Sequence, residues 1–489
     1  MGRRLQPRIV IATIAVTLGF ALSTASEPAK LPEGQPLAVE ATALVPLDTE
    51  SSLAVVGIQG QVSIESHDQR ELRVISRTPG NDGADLPVGI WQVGQKLVIA
   101  PAPGEKRQER YLHVEVPANF KVSVDATDSQ IVVVATGGNL ELRGANLSAT
   151  IQESHGPIDG DLVGGKLSIA DSSDTTLKLQ GTTLTVTENK GSVHVRATGG
   201  TISLTKVEGP IDVQADEANL LIDSPESSVR VKARKGSAMV AGLQAGAELD
   251  MSGTPLVLKE GHGDVTVTSD ATVEFHSMAA SLHVELNGGS LRGKGNQGTL
   301  DVRTRNGEVN VEAIEQALRV QGDGLKATIA DVGGELSIDT TISDVTIDRV
   351  TSVVAKIDRG SLTLQRAGGA VQANVVGGDV HIIDGNGPVT LDLEGGDADV
   401  SWASFSGDKD THLTNRSGSI TVRVPVSGPA RLVAKSRYGR IDGSVPGVRV
   451  SDDLNEAQGP INGGSRPVVH VDASGDIHLA YGSEAHDAN

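Results

Sequence analysis

The sequence has no cysteine, so it can form no disulfide, and it cannot carry a lipid anchor on an N-terminal cysteine. Aromatic residues are nearly missing: Phe, Trp and Tyr together make up 2% of 489 residues. A globular enzyme of this length fills its core with more rings, so here the interior must be built from Val, Ile, Leu and Ala. After the N-terminal region, no apolar run approaches the ~20 residues a membrane span needs. Familiar catalytic signatures are absent as well: there is no G-x-S-x-G elbow, no H-E-x-x-H and no P-loop. Cationic excess is also lacking. The 42 Lys and Arg face 62 Asp and Glu, a net charge of −20, which argues against nucleic acid or an anionic lipid surface as a partner.

The N-terminus, MGRRLQPR followed by IVIATIAVTLGFALSTA, combines a basic start, a short apolar stretch and a small-x-small site at Ser23-Thr24-Ala25. This predicts a signal peptide over 1–25, cleaved after Ala25, with a flexible linker over 26–44 and no integral membrane segment in the mature chain. The expected location is therefore exported: periplasm, cell surface or extracellular. Without disulfides, stability there must come from packing and backbone hydrogen bonds alone.

What the sequence does contain is a phrase. In NKGSVHVRATGGTISLTKVEGPIDV, residues 189–213, GSVHV, GTISL and GPIDV follow one another nine residues apart. The apolar pairs Val193/Val195, Ile202/Leu204, Ile211/Val213 and Leu220/Ile222 keep that step as far as Val265/Val267, where one residue is dropped. The phrase resumes at Val273/Phe275 and, with one further slip, runs to Val389/Leu391, broken only by Gly293. A mostly polar residue separates the members of each pair, the period-two mark of a half-buried strand. Nine residues hold a strand of about five and a turn of about four, and glycine or Gly-Pro stands at the turns.

Such a string predicts a parallel β-solenoid. The marked glycines at 138, 165, 191, 209, 236 and 263 are mostly 26 to 27 residues apart, with 18 as the other step. Three phrases per coil gives a right-handed, three-sided parallel β-helix. The expected organisation is an N-terminal β cap at 45–125, a regular β-helix at 126–400, C-terminal coils and cap at 401–482, and a tail at 483–489. Atypical ends are expected, because an open solenoid end exposes core and unpaired backbone.

Several segments resemble a known family: VVGIQGQVSIESHDQRELRVISR, LHVEVPANFKVSVDATDSQIVVV and GSITVRVPVSGPARLVAKSRYGRIDG, with Val116-Pro117 and its echo Val424-Pro425 as the better markers. They are similar to the bacterial β-strand-repeat family of unknown function labelled "putative adhesin", itself similar to the GIN-domain heads of auto-transporter adhesins. The resemblance covers residues 45 to 480 and implies an exported β-helix with an adhesive role. It brings no catalytic residues. The chain departs from true autotransporters in showing no translocation barrel.

The search for chemistry names few residues. His194 and His381 fall at outward strand positions and His262 at a turn, with no HxH pair to suggest zinc. Asp397 and Asp399 share a strand face, and Asp452, Asp453 and Glu456 share a loop, in principle oxygen ligands for Ca²⁺. The calcium-binding GGxGxD nonapeptide is absent, and an acidic chain places such pairs by accident. Trp91 and Trp402 are expected to close the core ends. At a 27-residue step Thr185 is followed by Asp212, Met239 and Thr266, so no threonine column forms. No catalytic, cofactor-binding or metal residue is assigned and no cofactor is expected. The expectation is a non-enzymatic adhesin or surface-binding protein with an unidentified glycan, protein or envelope ligand. A periplasmic scaffold or envelope-maintenance factor and a β-helix carbohydrate-active enzyme stand as alternatives.

Overall fold

The computed structural model describes residues 35–47, 51–79, 84–104, 108–405 and 407–482. The signal peptide expected at 1–25 and the tail at 483–489 lie outside the described residues. The described chain is all β, and most of its strands stack in parallel.

Backbone pairing fixes the coil. Val193 pairs with Ile211, Ile211 with Val229 and Val229 with Ala247, each 18 residues on. On the other side Thr183 pairs with Thr201, Thr201 with Asn219 and Asn219 with Ser237. Each strand therefore pairs with the strand two phrases later. A coil holds two strands, and the three-sided form expected from glycine spacing is corrected to two. We call the ladder through Val193–Thr198 sheet A and the ladder through Thr201–Thr205 sheet B. The dropped residue appears as a 17-residue coil, Leu256 pairing with Val273 and Val265 with Leu282.

The spacing misleads because both corners of a coil use glycine. Gly165 lies at the tight corner from sheet A to sheet B, where a Cβ would fall 2.1 Å from the Leu147 carbonyl oxygen. Gly138 lies at the longer return corner, where a Cβ would fall 2.1 Å from the Phe120 oxygen. Steps of 27 therefore jump from one corner to the other, one and a half coils on. The true period is carried by two columns of left-handed residues. Gly181, Gly199, Glu217 and Lys235 occupy one corner, and Asp171, Glu188, Lys206 and Ser224 the other.

Inward side chains from both sheets form one continuous core along the rod. Coils stack about 4.8 Å apart, so each Val, Ile or Leu packs on its counterpart one coil away and few rings are needed. Where the core does hold a large ring, the neighbouring coil makes room with glycine: Trp402 pairs with Gly385, and Phe275 with Gly293.

Both ends are interleaved. At the N-terminal end, Ser52–His67 crosses both sheets and is sandwiched between Lys121–Val134 on one side and Lys96–Pro101 with Arg110–Pro117 on the other. Antiparallel strands Val88–Val93 and Glu71–Arg77 follow. Gln35–Glu40 and Thr42–Pro46 form the outer edge. Residues 35–44, expected to be linker, are thus strand, because PLAVE and TALVP alternate well enough to pair with this cap. At the C-terminal end, Val468–Ala473 inserts between Thr411–Asn415 and Ala430–Ser436. Ile477–Tyr481 likewise inserts between Ile420–Val424 and Ile441–Gly443. Glu456–Ile461 closes the end antiparallel to Ala430–Ser436.

Candidate functional site

Alternation along the strands and the 18-residue coil together decide what each face presents. On sheet A the outward residues are charged in rungs. Asp212 and Asp216 are followed one coil on by Arg230, Lys232 and Arg234, and these by Glu248 and Asp250. Opposite charges meet between coils: Arg230 Nη2 lies 2.9 Å from Glu248 Oε2, and Lys232 Nζ lies 3.2 Å from Asp250 Oδ2. Such exposed pairs contribute little each. Two open concavities lie on this face, of about 670 and about 800 Å³. Glu141, Asp159, Lys178, Arg196 and Asp212 are among the residues lining the first.

Sheet B differs in the same coils. Over 130–241 its outward positions carry only Lys166 and Asp223 as charges. Thr183, Thr185 and Thr187 lie beside Thr201, Ser203 and Thr205. No column of threonines runs through Thr185, but the reason given by the sequence is corrected here, and what stands in its place is a mixed column of threonine and serine. The 27-residue step compared opposite faces, whereas the true neighbours of Thr185 are Ser168 and Ser203. Reading outward residues at the 18-residue step would have found this.

Charge returns to sheet B farther along, where Lys294 Nζ lies 3.3 Å from Glu312 Oε1 on the next coil. At the return corner of the later coils, Arg349 binds Asp331 one coil back, and Arg366 Nη2 lies 2.5 Å from Asp348 Oδ2. The Arg349 hydrogen bond holds the Asp331 carboxyl below its ordinary range. At a corner, Lys190 Nζ lies 2.6 Å from Asp171 Oδ1 and lowers that carboxyl in the same way.

The residues singled out in the sequence do not converge. His194 is exposed on sheet A, its Nδ1 3.9 Å from Asp212 Oδ2. His262 and His381 are exposed on separate coils. Asp399 pairs with Arg423, and Asp397 Oδ1 accepts the Ser419 backbone N–H at 2.9 Å. Asp453 is held low by a hydrogen bond from Ser451, while Glu456 Oε1 meets Lys435 Nζ at 3.0 Å. Among the described residues no group of three or more His, Asp or Glu is placed to hold a metal ion. Trp91 and Trp402 are buried in the two end regions. Trp402 Nε1 donates to the Gly387 oxygen at 3.3 Å, and its ring lies 5.4 Å from Phe405.

Fold and faces together define a β-solenoid rod with one charged face and one long neutral stretch on the other. No protein family and no curated protein matches the chain. Among solved structures the chain is similar to the crystal structure of a "putative cell adhesion protein" from Clostridium sporogenes ATCC 15579. The identity is 8% over 90% of this chain and 99% of that one, with a TM-score of 0.12.

Proposed function

We propose that the protein is an exported, non-enzymatic adhesion or surface-binding protein. The observation that carries this reading is the regular two-faced rod. Its outward side chains repeat once per coil along a rigid axis, so many weak contacts add without any single deep site. The titratable residues named above are dispersed or paired with one another across coils, which suits binding better than acid–base chemistry.

The test is protease accessibility on intact cells, with a C-terminal tag and a lysed control. Loss of the tag on intact cells, or protein in the medium, is the expected result. Full protection until the envelope is breached would remove adhesion and leave a periplasmic scaffold.

A further inference from the structure

The neutral stretch of sheet B is the feature least expected of an acidic protein. The rows Thr183, Thr185, Thr187 and Thr201, Ser203, Thr205 sit at its centre. Hydroxyls and amides continue on both sides at Ser148, Thr150, Ser168, Asn219 and Ser237. Strand spacing sets these groups about 4.8 Å apart between coils and about 6.7 Å apart along a strand. In each row the first position is exposed and the second, apart from Leu221, is half-buried, because short side chains shoulder one another on a flat sheet.

We infer that this face binds the surface of an uncharged polysaccharide; the inference rests on the surface-binding reading above. A threonine offers a hydroxyl that donates and accepts and a methyl beside it. A sugar surface likewise alternates hydroxyl groups with C–H patches. Docking a neutral polymer here strips water from almost no charge, and stripping charges is the costly step. On sheet A the same polymer would bury the rungs around Arg230–Arg234. A charged polymer has the opposite preference. The partner must be sheet-like or crystalline, since the face is flat and carries no aromatic platform to grip a single chain. An ice lattice fits less well, because only two coils carry the complete hydroxyl row. Apolar side chains face outward only towards the two ends of the stretch, as Val132 and Val134 at one and the paired Leu221 and Met239 at the other, too few for a large apolar partner.

The test is adsorption of the intact mature protein to microcrystalline cellulose and to chitin, at low and high salt. The expected result is retention on at least one of them that high salt leaves unchanged. The double variant Thr185→Lys/Ser203→Lys should weaken it by about tenfold or more, since two unpaired charges would be buried at each contact. Lys232→Ala/Arg234→Ala on the opposite face should leave it unchanged. All four positions point outward, so both variants should melt with the parent, which separates lost binding from lost folding.

Four results would each overturn the inference. They are no retention on either polymer, salt-sensitive retention lost with the Lys232 and Arg234 changes, adsorption to ice alone, and a dimer in solution that Thr185→Lys/Ser203→Lys dissociates. A protein that holds polysaccharide but stays protected inside the envelope would overturn the adhesion reading and leave this one standing. One exposed on cells that holds neither polymer would do the reverse.

Discussion

Phe275 and Gly293 occupy the same inward position on consecutive coils, and a Cβ at Gly293 would lie 1.9 Å from Phe275 Cε1. The glycine that interrupts the nine-residue phrase is thus the complement of a ring in a core otherwise made of aliphatic side chains.

Gly293→Val should destabilise the protein by about 1–3 kcal/mol or more, the range for overfilling a packed core. Phe275→Leu in the same chain should recover part of that loss, whereas Phe275→Leu alone should be destabilising. Urea denaturation of the two single variants and the double reads the coupling directly. A double variant no more stable than Gly293→Val would show that the ring does not set the requirement for glycine.

Val309 is fully buried, while Asn310 beside it points outward. Val309→Asp places an unpaired charge in the apolar stack and should cost several kcal/mol. Asn310→Asp should stay within about 0.5 kcal/mol of the parent. Thermal melts of the pair check the inward assignment of the phrase, and equal melting temperatures would refute it.

The corners predict changes of opposite sign. Ile342 holds φ 50° while 59% exposed. A β-branched residue in that region is strained, so Ile342→Gly should stabilise by up to about 1 kcal/mol after glycine's own entropy is counted. Gly200 holds φ 86°, and a Cβ there would fall 2.2 Å from the Thr182 oxygen. Gly200→Ala should cost upward of about 1 kcal/mol. Chemical denaturation of both variants is the measurement.

Asp331 and Asp171 titrate below their ordinary range because Arg349 and Lys190 favour their charged forms. A lowered carboxyl contributes stability above the unfolded-state value, and the contribution disappears as pH falls through the folded-state value. Stability should therefore drop between about pH 4 and the strongly acid range. The Asp331→Asn variant should show a shallower drop than the parent. Both ion pairs are exposed, so added salt should shrink the difference. Melting temperature against pH for parent and variant tests this, and identical acid limbs would refute it.

Strands and core were legible in the sequence because alternation is a local property: Val193, Val195, Ile202 and Leu204 all point inward as the phrase requires. The number of strands per coil was not, because glycine marks a corner without saying which corner. Gly165 and Gly191 obey different neighbours, and only backbone pairing separates them. The same ambiguity reaches the surface: a 27-residue step sets Thr185 against Asp212 on the opposite face, whereas its neighbour in the ladder is Ser203. The linker misled for another reason: the strands at 35–46 are held by residues around 71–93 that no local pattern connects to them.

The interleaved C-terminal end imposes an order of events. Ala430–Ser436 rests on Val468–Ala473 and not on the coil made just before it. During synthesis its seat does not yet exist, so the growing rod cannot simply add turns as they leave the ribosome. It must leave some forty residues uncommitted until the later strand slides in beneath them. The final turns therefore settle together, like a latch. Once the latch has closed, the sheet A ladder ends on its own antiparallel strand and sheet B on the three-residue Ile441–Gly443, so neither gives a second molecule a long parallel strand on which to continue the stack.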